Sequence, residues 1–268
     1  MKFDWRAMRS LLAGSRRPCN YFHCDADNVG DRLCGPANYF ARDQFQTSNL
    51  NKPLRFSRKT VFGGGQIFGQ IERAVSENFY NVSNRSLVAW GIGLPIKGKR
   101  NDVVRQVASK FDFFGTRNFE WADEFDFVPC ASCMSTIFDD LPSPKYEYVV
   151  FAHRRKVPEL IESLPQKVPM LTNKNHSPRT VAEFLASGET VVTSSYHGVY
   201  WAQLIGRKVV CIPFGDKFRT FQFSPHFAQA SSWQDELELA KESPPILEEY
   251  RRINRSFFDK VSNSLGVS

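Results

Sequence analysis

Long apolar runs are missing from this 268-residue chain. The apolar runs are short pieces such as Val88–Trp90 and Val209–Ile212, far below the roughly 18 residues that cross a bilayer. The first residues, Met1–Ser10, carry Lys2, Asp4, Arg6 and Arg9 with only Leu11–Ala13 behind them. That is too little apolar length for a secretory signal, so a cytoplasmic setting is expected. Metal-type spacing is scarce as well. Cysteines fall at 19, 24, 34, 130, 133 and 211, and Cys130-Ala-Ser-Cys133 has no second CxxC or HxxxH to complete a zinc site. They are read as reduced thiols, and no metal is expected. The basic residues form no long block, and the 24 Phe lack the spacing of an RNA-recognition sheet. Nucleic acid is therefore not an expected partner.

Two nucleotide-binding loops are absent too. Gly63, Gly65 and Gly69 are spaced one residue too widely for the dinucleotide fingerprint. Gly93-Leu-Pro-Ile-Lys-Gly98-Lys99 starts like a P-loop, but Arg100 stands where a Ser or Thr would hold magnesium. A solvated basic loop is the better account. What remains is an ordinary globular composition, 42% hydrophobic and 24% charged. Thirty-five Lys+Arg against 28 Asp+Glu leave a charge of +7, which favours an anionic partner such as a phosphorylated small molecule or a membrane surface.

Strand and helix signals alternate in two series. The first has strands at Cys19–Cys24, Thr60–Phe62, Leu87–Trp90, Phe111–Phe114 and Phe125–Val128. Helices are predicted at Asp31–Gln44 (interrupted by Gly35-Pro36), Ile67–Phe79 and Asp102–Lys110. Leu141-Pro-Ser-Pro144 then breaks the pattern. The second series has strands at Tyr146–Ala152, Thr190–Thr193 and Lys208–Pro213. Its helices are Pro158–Leu164, Arg179–Ala186, Gly198–Ile205 and a closing amphipathic Glu248–Leu265. This predicts an α/β protein of two Rossmann-like domains facing a cleft, residues 1–143 and 144–268, with the last helix packing back on the first domain.

The special residues fall after strands, where open α/β sheets bind ligands. Asp25–Asp31 follows the first strand, Gly63–Gly65 the second, Gly91-Ile-Gly93 the third. Ser194-Ser-Tyr-His-Gly198 and Phe214-Gly-Asp-Lys217 follow later ones. Ser194–Gly198 joins a strand to a helix start, where exposed amides favour phosphate or carboxylate. Ser194 and Ser195 are placed to cap that helix, and His197 to act as general acid or base. A histidine that only hydrogen-bonds inside the protein fits the same spacing. Lys217, at the next strand's exit, is a second candidate anion ligand, with a surface lysine as the plain alternative. Asp31 either orients a hydroxyl or caps the helix after it. Trp90, Tyr196, Tyr200, Trp201 and Phe214 are candidate sugar-stacking rings, with core packing the better account of those pointing down the helix after His197, given its apolar spacing.

The stretches Asn28-Val-Gly-Asp31, Gly63-Gly-Gly65, Trp90-Gly-Ile-Gly93, Phe114-Gly-Thr-Arg117, Val128-Pro-Cys-Ala-Ser-Cys133 and Val192-Thr-Ser-Ser-Tyr-His-Gly198, with Lys217, occur in one order across most of the chain. In that order the chain resembles the polysaccharide pyruvyl transferase family. The resemblance implies a GT-B-like architecture and transfer of a pyruvyl group from phosphoenolpyruvate to two hydroxyls of a sugar in a surface-polysaccharide precursor, forming a cyclic ketal. Phosphoenolpyruvate is then a co-substrate, with no further cofactor. The acceptor is a glycan or lipid-linked oligosaccharide, which implies peripheral contact with the inner membrane face.

By the same resemblance, His197 and Asp31 are the catalytic candidates. Ser194, Ser195, Gly198 and Lys217 bind the donor, while Asn28, Gly30, Gly64, Gly65 and Gly93 line the acceptor side. Many members carry an arginine inside the serine–histidine signature, and here Tyr196 precedes the histidine instead. Arg117, His153 and Arg154 are the basic residues expected to replace it. Two other readings compete: a GT-B-type glycosyltransferase using a nucleotide sugar, and a non-catalytic glycan binder.

Overall fold

The computed structural model describes residues 18–22, 27–50, 59–76, 86–156, 164 and 167–268. The chain forms two compact units. One comprises Met1–Cys24, Leu33–Ser132 and Arg252–Ser268, the other Asp25–Arg32 and Cys133–Arg251. Both are parallel α/β sheets, as the alternation of strand and helix signals predicts.

The first unit has six strands: β1 (Cys19–Phe22), β2 (Gln46–Asn49), β3 (Lys59–Gly65), β4 (Ser86–Ile92), β5 (Phe113–Thr116) and β6 (Asp126–Phe127). They run parallel in the order β2-β1-β3-β4-β5-β6. The central pair β3 and β4 is buried along nearly its whole length, which is why both read as apolar runs rather than alternating ones. Helices at Phe68–Ser76 (α2) and Asn101–Ala108 (α3) lay Phe68, Ile71, Val104 and Val107 on this sheet. The phenylalanine richness is structural here. Phe111, Phe114, Phe125 and Trp121 form a chain of ring contacts with centroids 4.9–5.5 Å apart.

The second unit has β7 (Tyr146–Ala152), β8 (Met170–Thr172), β9 (Gly188–Thr193), β10 (Lys208–Cys211) and β11 (His226–Phe227). Their order is β11-β10-β9-β7-β8, again all parallel. Val150, Ala152, Val192, Val210 and Trp233 fill one core. Helices α4 (Pro178–Ala186) and α5 (Tyr196–Leu204) contribute further buried side chains. Ser177 caps α4, its Oγ accepting from the Thr180 amide at 3.0 Å, with Pro178 in the first turn where proline costs nothing.

The closing helix, α6 (Leu247–Leu265), has residues in both units. From Arg252 onward it packs within the first: Phe257 meets Trp90 edge-on at 5.0 Å, and Phe258 stacks on Phe40 at 5.0 Å.

Several expectations need correction. The predicted helix Asp31–Gln44 is a five-residue helix, α1 (Val29–Leu33), followed by 3-10 turns at Pro36–Asn38 and Arg42–Gln44. Gly35-Pro36 ends the helix because the chain must lie flat against β3, where the Gly64 amide donates to the Cys34 carbonyl at 3.3 Å. The helix after β9 starts at Tyr196, two residues earlier than its spacing indicated. Strands β2, β8 and β11 were not foreseen. The predicted helix Pro158–Leu164 lies outside the described residues apart from Leu164. No helix among the described residues is long and apolar enough to cross a membrane.

Candidate functional site

The carboxyl edge of the second sheet gathers the residues with chemistry to offer. His153 and Arg154 follow β7, Asn173 and Lys174 follow β8, Ser194 and Ser195 follow β9, and Phe214 and Lys217 lie beyond β10. Hydrogen bonds tie these exits together. Ser194 Oγ accepts from the His153 amide at 2.9 Å, and Asn173 Oδ1 accepts from the Arg154 amide at 2.9 Å. Thr193 Oγ1 donates to the Phe151 carbonyl at 2.6 Å and accepts from the Ser195 amide at 3.0 Å. Three of these bonds join neighbouring strands and the Ser195–Thr193 bond closes the turn after β9, so the turns hold a fixed relation to one another.

Ser195 is the N-cap residue of α5, with extended backbone and no capping bond from its side chain. The expectation that Ser194 and Ser195 cap this helix through their hydroxyls is therefore corrected. The Ser194 hydroxyl is engaged by the β7 exit, and both residues are buried. Gly198 sits in the first turns of α5. A Cβ there would run into Thr193 Oγ1 and lie 2.8 Å from Phe151, so glycine lets the helix press onto β9 and β7. Its role in this structure is packing.

His197 follows Tyr196 in the first turn and is only 6% exposed. Its ring lies 5.6 Å from those of Tyr196 and Trp201, and the backbone of Gly30 covers its Nδ1 side. The expected open imidazole is thus a nearly enclosed one. Tyr196, Tyr200 and Trp201 are buried as well, and so is Trp90 in the other unit. Tyr200 and Trp201 take the core place read for that helix, and Trp90 and Tyr196 are packed inside as well. Phe214 alone of that group is partly exposed.

Phe214 links two basic groups. Its ring lies 5.0 Å from the His153 imidazole, and Lys217 Nζ stands 4.8 Å from its centroid and 5.3 Å from that of Phe218. His153 Nδ1 accepts from the Arg155 amide at 3.3 Å. In the neutral ring this leaves the proton on Nε2. The Cys211 thiol nearby is pushed well above its ordinary range by burial, with Lys217 pulling the other way. It is a packed thiol rather than a nucleophile.

The Asp27–Arg32 segment completes this edge. Asn28 forms an antiparallel bridge to Lys174, and the Val29 amide donates to the Asn173 carbonyl at 3.2 Å. Asn28 Oδ1 accepts from the Gly30 amide at 3.1 Å. Asn28 therefore takes the place at the start of α1 that Asp31 was offered, and Asp31 lies inside that helix, partly buried. Asp27 Oδ2 lies 4.0 Å from Arg154 Nη1 and 3.9 Å from Lys174 Nζ. Lys174 and Asn173 went unrecognised in the sequence because β8 is a three-residue edge strand whose exit carried no signal.

The other proposed residues belong to the first unit. Gly64 lies inside β3, and a Cβ on the preceding Gly63 would stand 2.8 Å from the Trp90 carbonyl oxygen. At Gly63 and Gly64 the space a side chain would take is filled by the protein's own residues, Trp90 and Pro36 at the first and Cys34 at the second. Gly65, at φ +86°, ends the strand, and its carbonyl accepts from the Gly93 amide at 2.9 Å. Arg117 is buried at 5% exposure, with Nη2 donating to Gln66 Oε1 at 3.3 Å and its amide to the Ile92 carbonyl at 3.1 Å. The structure groups Arg117 with Gln66 and Gly93 within the first unit. Within the P-loop-like segment, Lys97 Nζ, at a variable position of the pattern, contacts Asp123 at 2.6 Å.

Comparison with known proteins places the fold. The chain shares its fold with a putative UDP-N-acetylglucosamine 2-epimerase from Listeria monocytogenes, at a TM-score of 0.53 and 12% identity over 94% of this chain and 97% of that one. The wall teichoic acid polymerase TagF aligns at a TM-score of 0.47 and 10% identity over 96% and 93% of the two chains. A Klebsiella pneumoniae protein of uncharacterised function gives 0.44 and 17% over 80% and 91%. No family model matches the sequence, and no curated protein does. The class defined by the two parallel sheets and the epimerase likeness is the GT-B-like fold.

Proposed function

We propose that this protein is a transferase acting on a surface-glycan precursor, with a phosphorylated, anionic donor bound at the carboxyl edge of the second sheet. The observation that carries the reading is the convergence there of His153, Arg154, Lys174 and Lys217, from three strand exits, beside the start of α5. Fixed cations and main-chain amides are what a phosphate or carboxylate needs. The acceptor is a glycan or lipid-linked oligosaccharide at the cytoplasmic membrane face.

Two donors suit this edge. A nucleotide sugar is favoured by the fold shared with a protein named for UDP-N-acetylglucosamine. Phosphoenolpyruvate is favoured by the order of sequence motifs, and pyruvyl transfer from it makes a cyclic ketal on two sugar hydroxyls. That reaction protonates the donor's methylene carbon, bonds the former enol carbon to both sugar oxygens and expels inorganic phosphate; of the two hydroxyl protons removed, one balances the proton on carbon and the other leaves with the phosphate. His197 and Asp31 remain our acid–base candidates, and Ser194, Ser195 and Gly198 shape the donor turn. His153 is a further acid–base candidate at the same edge. General acid–base help of this kind is worth roughly 10²–10⁴ in rate.

A thermal-shift comparison separates the donors. A ligand that binds the folded state at about 100 times its Kd stabilises by about 2.7 kcal/mol. Stabilisation by phosphoenolpyruvate alone selects ketal transfer, and stabilisation by UDP or a UDP-sugar alone selects the glycosyltransferase. If neither shifts the melting temperature while an oligosaccharide does, the chain is a glycan binder and the transferase reading is wrong.

A further inference from the structure

Lys217 lies in the 3-10 turn Asp216–Arg219, which follows β10 behind the exposed Gly215. A 3-10 turn has three residues per turn, so positions i and i+3 fall on one edge. Thr220, directly after the turn, uses that spacing: its Oγ1 donates to the Lys217 carbonyl at 2.9 Å. Thr220 is 1% exposed, and Phe218 is fully buried. The main chain of Lys217 is thus fastened to a buried hydroxyl. Its side chain runs along the rings of Phe214 and Phe218, which meet edge-on at 5.3 Å, with Nζ 4.8 and 5.3 Å from their centroids.

The segment beyond Thr220 has anchors of its own. Phe221 stacks on Tyr196 with centroids 4.6 Å apart, and Gln222 Oε1 accepts from the Tyr250 hydroxyl at 2.9 Å. The Phe223 carbonyl accepts from Gln203 Nε2 at 2.7 Å. Loss of the Thr220 hydroxyl therefore leaves that segment attached and acts on the turn before it. Lysine carries its charge on a flexible stem, so binding an anion costs ordering entropy unless contacts fix the residue beforehand.

We infer that Thr220 is a positioning residue for donor binding: through the Lys217 carbonyl it presets the ammonium for the donor's phosphate. This rests on the donor reading given above. Thr220 is buried and touches no donor; it acts through Lys217.

The test is calorimetric titration of the full chain with inorganic pyrophosphate at low ionic strength, scaled to the folded fraction from urea unfolding. The variants are Thr220→Val, Thr220→Ser, Lys217→Ala and the double variant Thr220→Val with Lys217→Ala. Thr220→Ala replaces valine if that variant does not fold. Lys217→Ala is expected to weaken binding about tenfold and Thr220→Val about threefold. Thr220→Ser, which keeps the hydroxyl, should bind within about twofold of wild type, and the double variant should match Lys217→Ala. A merely structural threonine would give the same loss with and without Lys217. That additive result, or wild-type affinity in Thr220→Val, overturns the positioning role and leaves the donor reading standing. Wild-type affinity in Lys217→Ala overturns it too and removes Lys217 alone from the donor edge. Absence of pyrophosphate binding by wild type overturns both the inference and the donor reading.

Discussion

The backbone of Gly30 lies directly against the imidazole of His197, so that a Cβ at position 30 would overlap the ring. The sequence shows a turn glycine and a helix-start histidine with no sign that they meet. Gly30→Ala is expected to push His197 out of place and destabilise the protein by about 1–3 kcal/mol, the usual cost of overpacking. The specific test is a double-mutant cycle with His197→Ala. Once the ring is removed, the alanine at 30 has room, and its cost should fall below about 1 kcal/mol in urea unfolding. Additive costs would show that the two residues do not constrain each other.

A second prediction concerns Trp90, which the sequence offered as a sugar platform. Its indole Nε1 donates to Asn254 Oδ1 at 2.8 Å, and the Asn254 amide nitrogen donates to the Pro129 carbonyl at 3.2 Å. Both residues are fully buried. Asn254→Leu leaves a donor and an acceptor without partners and should cost about 1–3 kcal/mol. Ligand affinity, measured after correcting for the unfolded fraction, should be unchanged, because this pair braces the fold of the first unit.

How far the sequence could be read depended on which physical signal each element carries. The Tyr146–Ala152 strand was legible to the residue, because its second half, Val149–Ala152, is buried and reads as a continuous apolar run. Strand β2 reads Gln-Thr-Ser-Asn and was invisible, since it is a short, polar edge strand. The carboxyl-edge rule put Ser194 and Lys217 at strand exits, where they lie, while His153 and Arg154, read only as replacements for the family's arginine, follow β7. It could not say which groups the fold would use internally. Ser194 holds the β7 exit, Gly198 seats a helix and His197 sits under Gly30, and each of those facts depends on partners remote in sequence. Lys174 was missed for the same reason as β8.

The Lys97–Asp123–Glu124–Arg105 cluster predicts an acid limb. Arg105 bonds Glu124 at 2.8 and 3.0 Å, and with Lys97 it holds this carboxyl down at about 2, against 4.5 in the unfolded chain. A depressed carboxyl stabilises the fold fully above its unfolded value, and that stability is lost as pH falls from about 4.5 towards 2. Glu124→Gln should flatten the change in urea midpoint over this range. High salt should flatten it in wild type as well, because the groups are solvent-exposed and screened. A wild-type slope unaffected by either would assign the acid limb to other carboxylates.

Arg251 gives the last prediction. It is the final residue of the second unit, and its guanidinium reaches back to the residues where that unit resumes after the first. Nε donates to the Cys133 carbonyl at 2.9 Å, and Nη2 to the Ser135 carbonyl at 3.1 Å and to Asp139 Oδ1 at 2.7 Å. Nη1 donates to Glu248 at 2.7 Å. Burial alone would lower the affinity of this guanidinium for its proton, but Asp139 and Glu248 more than reverse that, so the charge is secure. The four bonds use the planar fork, which an ammonium cannot reproduce. Arg251→Met keeps the apolar stem and strands two carbonyls, at an expected cost of about 2–4 kcal/mol. Arg251→Lys should recover less than half of that loss. Full rescue by lysine in chemical denaturation would mean that charge, and not the directed bonds to Cys133 and Ser135, is what holds this segment.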